Sequence, residues 1–186
     1  MEEQITLRSL IAHIAEGRWW NGDWIRLSVA LLTSMYFLFV ALTPGAWHFM
    51  DFVNLLIYEA GHMIFIPFGE FMHILGGSLF QVVFPMLYIG YFYLRRDYFS
   101  ASLLVFWVGE NLINVSVYAS DAVAMQLPLL GEDASGHDWH NILGMLHLLH
   151  ATGAIGFSIY IAGAITILAG VVLSIGASQR AHPYAI

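Results

Sequence analysis

The chain contains neither cysteine nor lysine. Without cysteine there is no disulfide framework, no iron–sulfur cluster and no thiol nucleophile. Without lysine, all six cations are arginines, and thirteen acidic residues bring the formal net charge to −7. No basic block is present, which argues against nucleic acid as a partner. Charged residues make up only 10% of the 186 and hydrophobic ones 59%. Soluble domains average about 25% charged and roughly 45–50% apolar. A soluble fold of this size cannot hide so much apolar surface, and a disordered chain needs the opposite composition. What remains is a small polytopic membrane protein with nine histidines, many for its class.

About 20 predominantly apolar residues cross a bilayer as a helix. Four segments meet that criterion: 25–43, 74–94, 100–119 and 154–176. Trp19, Trp20 and Trp24 ahead of the first fit an interfacial belt. A fifth segment, 49–68, is long enough but carries Asp51, Glu59 and His62. A sixth, 139–152, is too short to span and reads as an interfacial or re-entrant helix. Residues 1–24 form an amphipathic N-terminal segment, with Ile5, Leu7, Leu10, Ile11 and Ile14 on its apolar side. The acidic N-terminus does not read as a signal peptide. The expectation is a single-domain, all-α integral membrane bundle of four to six segments, some of them re-entrant.

Orientation follows from the arginines. Arg95 and Arg96 place the 95–99 loop in the cytoplasm, and Arg180 agrees. The 120–138 loop, with four acidic residues and no cation, is then extracytoplasmic. Arg8, Arg18 and Arg26 put the N-terminus on the cytoplasmic side only if 49–68 turns back without crossing; if it spans, the N-terminus is outside. The re-entrant reading is preferred here, with Pro67 and Gly69 at the turn. The membrane expected is a bacterial inner membrane.

Ionisable groups inside a bilayer are costly and mark function by default. Three groups stand out. Asp51, Glu59, His62, Glu70 and His73 fall within one stripe of roughly 100° on a continuous helix, although Pro67 and Gly69 interrupt it. Glu-x-x-His occurs at 59–62 and at 70–73, and carboxylate and imidazole at that spacing can share a metal ion. They can equally form a buried pair that packs helices. Glu110, Asn111, Asn114, Tyr118 and Asp121 form a second stripe, suited to supply a ligand, to orient histidines, or to seam helices together. His137, Asp138 and His140 form the third group, and His147 and His150 repeat the three-residue spacing on the helix that follows.

The stretch Asn54-Leu55-Leu56-Ile57-Tyr58-Glu59-Ala60-Gly61-His62, followed by Gly76-Gly77, resembles the membrane-embedded zinc metalloproteases of the site-2 protease class. In that family a transmembrane helix carries His-Glu-x-x-His; two histidines bind zinc and the glutamate activates water. Here Tyr58 stands where the first histidine belongs. The family's third ligand is an aspartate in an Asn-x-x-Pro…Asp-Gly element. Asn111-Leu112-Ile113-Asn114 lacks the proline, and Asp121 is followed by Ala122. The resemblance therefore implies roles only for Glu59 and His62.

Three classes of function fit these residues. The first is a zinc hydrolase in which Glu59, as catalytic residue or as ligand, joins His62, His137 and His140, with Asp121, Asp138, Glu110, Glu70 and His73 as supporting groups or substitute ligands. The second is a non-catalytic subunit of a larger membrane complex. The third is an iron, haem or pigment protein.

Overall fold

The computed structural model describes residues 23–127 and 137–179. The amphipathic N-terminal segment up to residue 22, with Trp19 and Trp20, part of the 120–138 loop, and Arg180 lie outside the described residues. Among the described residues six α-helices follow one another: α1 Trp24–Leu42, α2 Phe49–Phe65, α3 Glu70–Leu94, α4 Tyr98–Ser120, α5 Asp138–Met145 and α6 Thr152–Ser178. Among the described residues there is no strand. Five segments are long and apolar enough to cross a membrane: Trp24–Leu42, Phe49–Phe68, Glu70–Leu94, Tyr98–Ser120 and Leu149–Ser178. The chain is an all-α membrane bundle.

Local chemistry sets the helix ends. Asp23 caps α1, its Oδ1 accepting from the N–H groups of Ile25 and Arg26 at 2.9 and 3.2 Å. Asp97 caps α4 by accepting from the Ser100 N–H at 3.2 Å. His48 and Asp51 form a capping box at the start of α2. That helix ends in a 3-10 turn, Ile66–Phe68, followed by Gly69 at φ 91°. Glu70 and His73 therefore open α3, and the continuous stripe expected from Asp51 to His73 is split over two helices. The segment 139–152 is not one helix either. His147 takes φ 57°, a left-handed conformation that ends a helix, and a 3-10 turn at Leu149–Ala151 leads into α6. His147 and His150 consequently do not share a helix face.

The most extensive helix contact joins α4 to α6. A Cβ on Gly163 would stand 2.7 Å from Ile113 Cγ1 and 2.8 Å from the Gly109 carbonyl oxygen, so only glycine permits this approach. Phe106, Ile113 and Ile167 fill the seam, and Phe37 of α1 stacks on Phe106 at 5.5 Å. A second close approach, Gly61 against Gly76, joins α2 to α3.

Contacts between helices give their directions. The Asp23 N–H donates to the Ser178 carbonyl at 3.1 Å, and the Arg26 guanidinium sits 5.3 Å from the Phe99 ring. The start of α1 thus lies at the end of the bundle that holds the 95–97 turn. The Tyr160 hydroxyl donates to the Ala41 carbonyl at 3.0 Å, so α1 climbs antiparallel to α6. Helix α2 starts beside Thr43, with Asp51 bonded to Asn114, and ends with His62 bonded to the His73 carbonyl. It packs against α3 where Gly61 meets Gly76, and its length and composition would allow it to cross a membrane.

Because the chain has no cysteine, single cysteines report the side of the membrane cleanly. Asp23→Cys and Arg96→Cys should label with an impermeant thiol reagent from one side and Glu70→Cys from the other. Labelling of Asp23→Cys and Glu70→Cys from the same side would mean that α2 crosses completely.

Candidate functional site

Helix α4 carries its polar residues on one face, and that face organises two clusters at different depths. The deeper one is an amide–carboxylate layer. Asn54 Nδ2 donates to both carboxylate oxygens of Glu110, at 2.9 and 2.8 Å, while its Oδ1 accepts from Trp107 Nε1 at 2.8 Å. Asn114 Nδ2 donates to Asp51 Oδ1 at 2.8 Å, and its own Oδ1 accepts from Gln81 Nε2 at 2.9 Å. Asp51, Asn54, Gln81 and Glu110 are all buried. Pro85 adds to the polarity of this layer: it has no N–H for the Gln81 carbonyl within α3. Asn111 is 0% exposed, and neither atom of its amide has a partner.

The second cluster lies at the far end, where α5 packs against α3 and α4. His62 Nδ1 is 2.8 Å from the His73 carbonyl oxygen. A carbonyl only accepts, so Nδ1 carries hydrogen and Nε2 is the atom at which a proton is gained or lost. That Nε2 is 3.3 Å from Asp138 Oδ2. The Tyr58 hydroxyl donates to the same carboxylate oxygen. The Asp138 N–H donates to the Tyr118 hydroxyl at 3.1 Å, and the Tyr118 ring lies 4.5 Å from that of His137.

His137 is fully buried, and both its nitrogens are committed. Nδ1 accepts from the His140 N–H at 3.2 Å, which leaves Nε2 as the donor to Asp121 Oδ2 at 3.3 Å. His140 Nδ1 donates to the Ala122 carbonyl at 2.8 Å. Burial pushes the Asp121 carboxyl up, but the Gln126 and Leu127 N–H groups and His137 outweigh it and hold the carboxyl below its usual range.

These positions answer each expectation from the sequence. His62 and Asp138 meet, and so do His137 and Asp121. Glu59 is exposed on α2, Glu70 and His73 are exposed at the start of α3, and Glu110 belongs to the deeper layer. A catalytic zinc needs three protein ligands with free lone pairs. Among the described residues no three His, Asp or Glu side chains gather in that way. His137 has no lone pair to give without breaking a hydrogen bond. Among the described residues the expected set of Glu59, His62, His137 and His140 does not form such a group.

Several groups that build the site escaped sequence reasoning. Tyr58 bonds Asp138 across 80 residues, and Trp139 Nε1 donates to Ser78 Oγ at 3.0 Å, docking α5 on α3. Asn54, Gln81 and Trp107 complete the deep layer. The available signal was Asn54 three residues after Asp51, on the same face.

Two measurements probe these clusters. Asn54→Leu should destabilise the protein by about 1–3 kcal/mol, because it leaves Glu110 and Trp107 without their partner. Asn111→Leu should be neutral or stabilising, since it removes an amide that has none; chemical unfolding in detergent compares the two. Asp121→Asn should lower stability at neutral pH. With its folded titration point depressed, Asp121 contributes above about pH 4 and loses that contribution as pH falls through the lowered value. Melts across the acid range should show wild type and Asp121→Asn converging at the lowest pH.

In comparisons with protein-family models, curated proteins and solved structures, nothing matches this chain.

Proposed function

We propose that this is a non-hydrolytic membrane protein, built on a framework like that of the intramembrane metalloproteases, that works as a subunit of a larger membrane complex. The position of Glu59 carries this reading. Phe52, Leu56, Glu59 and Met63 recur at helical spacing and all four are exposed. The one residue whose role the resemblance implied as a base thus lies on the outer stripe of α2, outside the hydrogen bonds that join Tyr58, His62 and Asp138. A carboxylate amid apolar side chains on a membrane-facing stripe is costly in lipid. A partner helix with a hydrogen-bond donor or a cation at that height removes the cost.

Tyr58 supports the same reading. Its hydroxyl is bonded to Asp138 where the resembling family places a zinc-binding imidazole. Tyr58, His62 and Asp138 then act as a hydrogen-bonded clasp. They tie α5 to α2 and hold the far end of the bundle in shape.

Elemental analysis of the purified protein tests the proposal. Wild type and His62→Ala should both contain no stoichiometric transition metal, whereas Tyr58→His, which recreates His-Glu-x-x-His, should gain zinc. One zinc per chain in wild type, lost in His62→Ala, would overturn the non-hydrolytic reading. Native-gel migration from mild detergent tests the subunit role. Wild type should run as a larger complex that Glu59→Leu dissociates; an unchanged monomer in both rejects it.

A further inference from the structure

At the end of the bundle opposite the His62–Asp138 cluster, α3, α4 and α6 part and leave an open groove of about 630 Å³. Tyr93, Tyr98, Val105 and Leu173 form its sides, and the small residues Ala101 and Gly176 give it room. A Cβ placed on Gly176 would meet nothing within 4 Å. The lining is mostly hydrocarbon and aromatic, so the groove suits an apolar chain and not a polar solute.

Charge at the mouth narrows the choice. The turn that joins Tyr93 to Tyr98 carries Arg95 and Arg96, both exposed. Arg26 reaches the same end, 5.3 Å from the Phe99 ring beside Tyr98. Arg26 is paired with Asp23 at 3.6 Å, so the two arginines of the turn are the cations next to the lining. Basic residues beside a gap between membrane helices select anionic head groups, because guanidinium binds phosphate oxygens in pairs.

We propose that this groove is a binding site for one anionic phospholipid, with an acyl chain along the walls formed by Tyr93, Val105 and Leu173 and the phosphate at Arg95 and Arg96. The ligand is a structural lipid of the leaflet at the arginine end.

The experiment uses the full chain reconstituted in an equimolar mixture of phosphatidylcholine and phosphatidylglycerol, re-extracted in mild detergent, delipidated and read by native mass spectrometry. Wild type should retain one phosphatidylglycerol. Replacing Arg95 and Arg96 by Gln should lower retained phosphatidylglycerol about fivefold for each arginine. Gly176→Leu, which fills the groove, should abolish retention of both lipids. Equal retention of the two lipids by wild type would overturn the proposal. So would retention unchanged by Gly176→Leu, or a dimer that Gly176→Leu converts to monomer with lipid content unaltered. Retention that rises when residues 1–22 are removed would assign the groove to that segment instead. Should Gly176→Leu fail to fold, the two surface arginine variants decide the matter alone.

Discussion

The approach of α4 to α6 at Gly109 and Gly163 determines where α4 sits, and α4 in turn carries the polar side chains around which the deep layer and part of the terminal cluster form. Two backbones in contact leave no room for side chains on that face. Helix α4 therefore spends its small residues on α6 and turns Trp107, Glu110, Asn114 and Tyr118 toward α2, α3 and α5. In hydrocarbon these groups have no water to fall back on, so each needs a protein partner at its own depth. Asn54, Asp51 and Gln81 supply partners in the middle; Asp138 and His137 supply them at the end. The same seam that is driven by packing thus dictates the hydrogen bonding.

The two polar clusters differ in chemical character. The deep layer is bound mostly through amides, whose hydrogens are fixed, and it behaves as a rigid joint. The terminal cluster is built from imidazole, phenol and carboxylate, whose hydrogens are exchangeable. His62 has one nitrogen pinned by the His73 carbonyl and the other turned to Asp138, an arrangement that orients an imidazole. His137 differs: its Nδ1 accepts from the His140 N–H and its Nε2 donates to Asp121. The paired histidines are therefore not equivalent, although the sequence spaces them alike in their motifs.

Composition and hydropathy made the architecture legible, because apolar runs near 20 residues and scarce charge leave few alternatives. Helix ends followed too where a residue has one conformational habit, as at Pro67–Gly69. The break at His147 had no such marker, since histidine seldom takes positive φ. Site geometry was legible only within single helices. Spacing aligned Glu110, Asn114 and Tyr118, but it could not show that Asp51 and Asn54 bond that stripe while Glu59 turns outward. Nor could it show Tyr58 reaching Asp138, because that contact depends on how α5 folds back after a connection of some seventeen residues. Short motifs such as Glu-x-x-His specify a helix face, and which face meets the core is decided by packing against α3.

The close approaches of Gly61 to Gly76 and of Gly109 to Gly163 have a consequence for the surrounding lipid. Where two backbones meet with no side chain between them, no acyl chain can enter between the helices, so lipid meets each pair only along its outer flanks.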